Sequence, residues 1–370
     1  MKKVMIITSK YTGHGHMSIT AALEEKFSRM DIETAVIDGF TMAGPYGVKV
    51  SKMYGPITRY TKELWDIFYL FAEKKNSSVI NFAADLVEDS FLQLYNVTKP
   101  DIIVSVHPAF VGCILKLLEK HCIDIPFVTI IADIVTIAPL WVNKQSNLTV
   151  CPSQESWLYC KFKGLEEQQL MKCGFPVRER FLNNPPKNVV PKKTVNFLLM
   201  SGGEGVGNMR RIAGNLLYNF DCNVTVMTGK NANLKRRLEE NLGEEFGQRL
   251  RVLGFVENVQ DYMLESDIIF LRGSPNSMFE AVNCNVPIIV TGALPGQEEG
   301  NPEYAEKNNL GVVCEHPRKI IKVVSDLLAN DWERLKNISE SQREFIKSDA
   351  AEDIANTILN LMKDRTDDNS

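Results

Sequence analysis

The sequence predicts an α/β protein of two doubly wound, Rossmann-like domains facing a central cleft, and three observations lead to that fold class. Short apolar, β-branched runs alternate with helical patterns, and the alternation runs through twice. Each half opens on a strand followed by a glycine-rich turn: Thr12-Gly13-His14-Gly15-His16 after Val4–Thr8, and Ser201-Gly202-Gly203-Glu204-Gly205-Val206-Gly207 after Val195–Met200. Between the halves, residues 183–194 carry Pro185, Pro186 and Pro191 among polar residues and read as a linker.

In chain order, the expected strands of the first half are Val4–Thr8, Thr34–Ile37, Ile102–Val106, Phe127–Ile131 and Thr149–Cys151. Those of the second half are Val195–Met200, Asn223–Thr228, Arg251–Leu253, Ile268–Leu271, Pro287–Val290 and Gly311–Cys314. Strands that are apolar throughout, without alternation, belong to parallel sheets covered by helices on both faces. The division that follows is residues 1–182 as an N-terminal domain, 183–194 as linker, 195–363 as a C-terminal domain and 364–370 as a flexible tail. In such sheets ligands collect at the carboxyl ends of the strands.

At 370 residues the chain is long enough for two cores, and 44% hydrophobic with 24% charged residues is ordinary for a globular protein. The net charge of −4 gives no support to nucleic-acid binding. Residues 1–182 hold 20 Lys+Arg against 19 Asp+Glu, and the remainder 22 against 27, so an anionic surface would be met by the first half. Eight cysteines show neither a C-x-x-C pair nor metal-ligand spacing with His, so no metal, zinc included, and no disulfide framework is expected. The N-terminus runs straight into a strand with no leader pattern, and the apolar run Ile125–Trp141 is broken by Asp133 and Pro139. The expectation is a cytoplasmic protein whose membrane contact is peripheral. Phe40–Tyr95 interleaves Phe40, Tyr46, Tyr54, Tyr60, Trp65, Phe68, Tyr69 and Phe71 with Lys49, Lys52, Arg59, Lys62, Lys74 and Lys75. That composition suits an interface with anionic head groups, and equally a helical core layer with a solvated face.

The two turns differ in chemistry. Glycines let backbone N–H groups approach a phosphate while the helix behind presents its positive end, which makes the second turn the better phosphate site. The first turn carries two histidines and suits proton transfer instead. At the start of a helix the positive end disfavours imidazolium, so His16 is kept neutral, as a general base must be. Asp133 closes a strongly apolar strand, where a buried carboxylate needs a partner.

These motifs resemble the monogalactosyldiacylglycerol synthase family and its bacterial diacylglycerol glucosyltransferase relatives, inverting UDP-sugar glycosyltransferases of the GT-B fold. The match rests on Gly202–Gly207 as the GGEGxG loop, and on Gly15-His16, Pro100–Pro108, Asp133 with Pro139-Leu140-Trp141, Cys151-Pro152-Ser153 and Gly174–Arg178. It continues through Gly229-Lys230-Asn231, Gly254-Phe255, Glu280-Ala281 and Pro295–Asn301. The resemblance implies a catalytic His16, assisted by Asp133, with Gly15, His107 and Trp141 at the acceptor. It implies a donor site of Gly202, Gly203, Glu204, Gly205, Gly229, Asn231, Phe255, Arg272, Ser274, Ser277, Glu280, Gln297 and Glu298. Within that set Glu280 matches the ribose carboxylate, Phe255 the uracil contact, and Gln297 and Glu298 the readers of the hexose. One departure is Arg272-Gly273-Ser274-Pro275-Asn276-Ser277, where Asn276 replaces a glycine and bears on the donor geometry. No D-x-D motif is present, so N–H dipoles and Arg272 are expected to stabilise the leaving diphosphate without a metal or other cofactor.

The implied activity moves a hexose from a UDP-sugar co-substrate to diacylglycerol or a related lipid, at the anionic inner face of the cell membrane. A glycosyltransferase acting on an undecaprenyl-linked saccharide is the near alternative. A UDP-sugar epimerase and a non-catalytic UDP-sugar-binding subunit are the alternatives of other classes.

Overall fold

The computed structural model describes residues 2–11, 15–60, 77–182, 184–185, 187–200, 208–346 and 349–368, with backbone alone for 53–60, 77–78 and 364–368. The chain forms two compact units. The first contains a six-stranded parallel sheet of β1 (Lys3–Thr8), β2 (Glu33–Asp38), β3 (Ile102–Ser105), β4 (Phe127–Ile130), β5 (Leu148–Cys151) and β6 (Leu170–Lys172), in the order β2-β1-β3-β4-β5-β6. Its centre is dry: Val4, Ile6, Ile7, Ile102, Ile103, Val104, Phe127 and Val128 are fully buried, which is why these runs read as continuously apolar. The register pairs Val4 with Ile102 and Ile7 with Ser105, so β1 and β3 end side by side. The edge strand β6 was not expected; its Leu-Met-Lys sequence is half exposed and lacks β-branched residues.

Helices of this unit are α1 (Gly15–Arg29), α2 (Gly39–Met42), α3 (Gly44–Tyr60), α4 (Ser77–Thr98), α5 (Pro108–Lys120) and α6 (Gln154–Phe162). Of the aromatic and basic segment, Lys62, Trp65, Phe68, Tyr69, Phe71, Lys74 and Lys75 lie outside the described residues.

The second unit holds β7 (Val195–Met200), β8 (Cys222–Met227), β9 (Leu250–Leu253), β10 (Ile268–Leu271), β11 (Ile288–Val290) and β12 (Gly311–Val313), again all parallel, in the order β12-β11-β10-β7-β8-β9. Among its helices are α7 (Met209–Asn219), α8 (Ala232–Leu238), α9 (Val259–Glu265), α10 (Pro275–Asn283), α11 (Asn301–Lys307), α12 (Ile320–Leu328) and α13 (Glu333–Phe345). One face of the sheet packs Val195, Phe197, Leu199, Val224, Val226, Ile268 and Phe270 against Ile212, Leu216, Val324 and Leu335 from α7, α12 and α13.

The division of the chain differs from the sequence expectation in three places. The first unit ends at Glu179, and it also takes Pro295–Gln297 and Ser348–Ser370. The last change has a clear cause in α14 (Ala350–Asp368). Ala351, Ile354, Ala355, Ile358 and Met362 recur at helical spacing and are buried, in a helix that packs against α1. Lys26 of α1, only 4% exposed, places Nζ 2.5 Å from Asp349 Oδ2 and 3.8 Å from Glu352 Oε2. The backbone from Asp364 to Asp368, expected as part of a flexible tail, continues this helix.

In each sheet the strand order reverses direction once, between β1 and β3 and between β7 and β10. At such a point the loops leaving two adjacent strands diverge and open a crevice. His16 follows β1, His107 follows β3 and Arg272 follows β10, while Asp133, Gly229, Phe255 and Glu298 come after β4, β8, β9 and β11.

Candidate active site

In the first unit, the chain leaving β1 starts α1 with Gly15 and His16, and the chain leaving β3 reaches His107, the N-cap of α5. Because β1 and β3 are neighbours, the two histidines meet: their ring centroids are 4.5 Å apart with a 53° tilt. Both are 8% exposed. His16 Nδ1 lies 2.6 Å from the Val106 carbonyl oxygen. A carbonyl only accepts, so Nδ1 carries the hydrogen and Nε2 keeps its lone pair. Burial lowers the His16 pKa to about 4, against a smaller raising effect of the Val106 hydrogen bond, so the ring is neutral at pH 7. The start of α1 is tied to the end of β1 through Thr20, whose Oγ1 bonds Thr8 Oγ1 at 3.0 Å and the His16 carbonyl at 2.8 Å.

His107 caps α5 by accepting from the Ala109 N–H at Nδ1, 3.2 Å. Burial, followed by the neighbouring His16, holds its pKa well below the usual imidazole value. The walls here are aromatic. Phe40 meets His107 edge-on at 5.4 Å, Phe110 lies 5.2 Å from His107, and Trp141 lies 6.2 Å from His16. Phe40, grouped by sequence with interfacial aromatics, is thus part of the wall around His107.

Asp133 is 4% exposed and accepts at Oδ2 from the Trp141 indole Nε1–H, 2.7 Å. Gln297 Nε2 donates to its Oδ1 at 3.3 Å. The carboxylate therefore fixes the indole that faces His16, while the Nδ1 position of His16, where an assisting acid would sit, is taken by the Val106 carbonyl. Gln297, expected from the resemblance at the donor hexose, lies on Asp133 in the first unit.

In the second unit the described donor candidates follow the carboxyl ends of β8, β9, β10 and β11. The loop Gly202, Gly203, Glu204, Gly205 falls outside the described residues. After β8, Gly229 has φ +56°, and Asn231 caps α8 by accepting from Leu234 N at 2.9 Å. After β9, Phe255 is exposed. After β10 come Arg272, Gly273 and Ser274, the last at the N-cap of α10, with Ser277 in its first turn and Glu280 buried one turn further on.

Arg272 and Glu298 face each other through two contacts, Nε–Oε2 at 2.8 Å and Nη2–Oε1 at 3.1 Å. Glu298 Oε2 also accepts from the Leu294 N–H at 2.8 Å. Glu298 is 5% exposed, so its carboxylate is committed to holding the guanidinium and turning the chain after β11. This differs from a carboxylate open to sugar hydroxyls. Asn301 Nδ2 bonds the Gly273 carbonyl at 2.7 Å and steadies the same loop.

Residues 16–177 match the family described as Monogalactosyldiacylglycerol (MGDG) synthase, and residues 208–330 match Glycosyl transferases group 1. Spinach (Spinacia oleracea) chloroplastic monogalactosyldiacylglycerol synthase is 29% identical over 98% of this chain and 73% of its own length. A processive diacylglycerol beta-glucosyltransferase of Bacillus mycoides is 27% identical over 96% of this chain and 93% of its own. Over nearly its whole length the chain is similar to members of the monogalactosyldiacylglycerol synthase family, whose family model its residues 16–177 match. Among solved structures, Acinetobacter baumannii MurG shares the fold with a TM-score of 0.65, at 12% identity over 97% of this chain and all of MurG. The chain is accordingly a GT-B glycosyltransferase.

In this glycosyltransferase, three parts of the site had no signal in the sequence. The Val106 carbonyl that fixes the His16 tautomer is a backbone group. Phe110 and Phe40 reach His107 only because β2, α2 and α5 meet there. The Arg272–Glu298 pair joins positions 26 apart through the loops after β10 and β11.

Proposed function

We propose that this enzyme transfers a hexose from a UDP-sugar to the hydroxyl of diacylglycerol or a related lipid, with inversion and with His16 as general base. One observation carries the reading: a buried, neutral histidine whose Nδ1–H is fixed by the main chain, leaving Nε2 as the basic nitrogen within aromatic walls. The names of the relatives supply the acceptor class. In the reaction the acceptor hydroxyl gives its proton to His16 Nε2 and its oxygen bonds to the anomeric carbon. The bond from that carbon to the UDP oxygen breaks, and its electron pair leaves with UDP. Arg272, held in orientation by Glu298, is the cation that would meet the leaving diphosphate. Gly202–Gly205, Gly229, Asn231, Phe255, Ser274, Ser277 and Glu280 complete the donor assignment.

Among the described residues no helix is long and apolar enough to cross a membrane. On α3, Tyr46 and Val50 are exposed beside the exposed Lys49 and Lys52. Apolar side chains with lysines on one helix suit docking at an anionic bilayer surface, and the proposed location is the inner face of the cell membrane.

The test is UDP release from UDP-glucose, UDP-galactose and UDP-N-acetylglucosamine, with and without diacylglycerol vesicles, followed by mass spectrometry of the lipid. Lipid-dependent release with a hexose added to diacylglycerol is expected. A changed free sugar would turn the reading to an epimerase, and an undecaprenyl-linked saccharide, assayed in place of the vesicles, would replace diacylglycerol as the acceptor if UDP were released with it alone.

A further inference from the structure

We infer that His107 and His16 form a two-histidine clamp for the acceptor hydroxyl, in which His107 Nε2–H donates to the same oxygen whose proton His16 Nε2 accepts. The inference rests on the reading of His16 as the general base and assigns a separate positioning role to its neighbour.

The argument is one of tautomers. The Val106 carbonyl only accepts, so His16 carries its hydrogen on Nδ1 and presents a lone pair at Nε2. The Ala109 amide only donates, so His107 Nδ1 is the acceptor and the hydrogen of the neutral ring is on Nε2. Two adjacent imidazoles thus have opposite polarity at their second nitrogens, and the main chain of residues 106–109 sets both. The rings are close, at 4.5 Å between centroids, and buried. Burial keeps both neutral, so neither tautomer is lost by protonation at pH 7.

A hydroxyl is the functional group that matches such a pair, because it donates one hydrogen and accepts another. An ammonium lacks the acceptor, and an ether or ester carbonyl lacks the donor. The flanking rings of Phe40, Phe110 and Trp141 limit water, so a group that fails to satisfy His107 Nε2–H leaves a buried donor unpaired. In the transition state the His107 hydrogen bond strengthens as negative charge grows on the oxygen. The His107 proton stays where it is; the only proton transferred is the one taken by His16.

The test uses the full chain and has two parts. Proton–nitrogen correlation spectra of the imidazoles at pH 7, with signals assigned through the His16→Gln and His107→Ser variants, read the tautomers directly among five histidines. An Nδ1–H pattern for His16 and an Nε2–H pattern for His107 are expected. The same tautomer in both, or an averaged pattern in either, overturns the proposal. In the transfer assay, His107→Ser keeps a good helix cap but removes the distal donor. Acceptor kcat/KM is expected to fall about 10- to 100-fold, with the KM for the UDP-sugar unchanged within about twofold. His107→Asn, a second cap-retaining variant, serves where Ser fails to fold. A wild-type enzyme that transfers hexose while His107→Ser keeps its acceptor kcat/KM overturns the clamp and leaves the function standing. A wild-type enzyme that transfers no hexose to any lipid overturns the functional reading, and with it the acceptor role of both histidines.

Discussion

Burial of His16 makes the stability of the first unit depend on pH in a way that can be worked out. The folded ring has a pKa of about 4 against the ordinary 6.5, so between those values the unfolded chain binds a proton that the folded chain does not. Stability therefore falls as pH drops below about 6.5 and levels off below about 4. Each tenfold difference in proton affinity is worth about 1.4 kcal/mol, giving roughly 3 kcal/mol over the whole window and about 2 kcal/mol by pH 5. His16→Gln removes the titrating group and keeps a similar volume. Urea unfolding followed by tryptophan fluorescence, in a Trp332→Phe background that removes the tryptophan of the second unit, reports this unit, since Trp141 lies 6.2 Å from the ring. The wild type should lose about 2 kcal/mol more than His16→Gln between pH 8 and pH 5. Parallel curves for the two proteins would refute the burial argument and remove the reason to treat His16 as neutral.

Four other perturbations test separate links. His16→Ala should cost about 10²- to 10⁴-fold in kcat while UDP affinity by calorimetry stays within about twofold; a large loss of UDP affinity would put the histidine on the donor side. Glu298→Ala leaves the half-buried Arg272 guanidinium without its partner, and should destabilise the second unit by about 1–3 kcal/mol while weakening UDP binding; unchanged UDP affinity would show that Arg272 does not meet the diphosphate. Trp141→Phe removes the donor to Oδ2 of buried Asp133 and leaves the longer Gln297 bond to Oδ1; it should cost about 1–3 kcal/mol in urea unfolding, with a drop in acceptor kcat/KM. Asp349→Ala leaves Lys26 with only the more distant Glu352 and should speed amide exchange in the first turns of α14 before any global unfolding.

The sheets were legible because their strands are buried on both faces. A run such as Val4–Ile7 or Ile268–Leu271 has no polar alternation to confuse its reading, and every expected strand is present with its ends within one residue of those expected. The short edge strand β6 escaped because an edge needs little apolar sequence. Helix α14 was assigned to the wrong unit for a different reason. Its apolar stripe shows that it packs on something, but only the buried Lys26 and its carboxylate partners say that the partner is α1. The site divides in the same way. His16, His107 and Asp133 stood out because ionisable groups at apolar strand ends need an explanation. The roles of Asp133 and Glu298 did not, since a carboxylate in a motif looks the same whether it faces a ligand or holds Trp141 or Arg272.

The two units share one topological device and differ in what the chain puts there. In both sheets the order reverses beside the first strand, so that strand and its inner neighbour are adjacent and the chain leaves them in different directions. In the first unit His16 and His107 follow those two strands beside the rings of Phe40, Phe110 and Trp141, and burial keeps both imidazoles neutral. In the second unit the inner neighbour β10 is followed by Arg272, a residue type that stays charged and is held by a buried carboxylate. Neutral bases suit removal of a proton from an alcohol; a fixed cation suits a departing diphosphate. Exchanging the two sets would fail on both sides, because a guanidinium cannot accept a proton and a neutral imidazole of low pKa brings no charge. On the proposed reading, the chemistry of the transfer is split between two copies of one fold by the residues that follow the strands at each reversal.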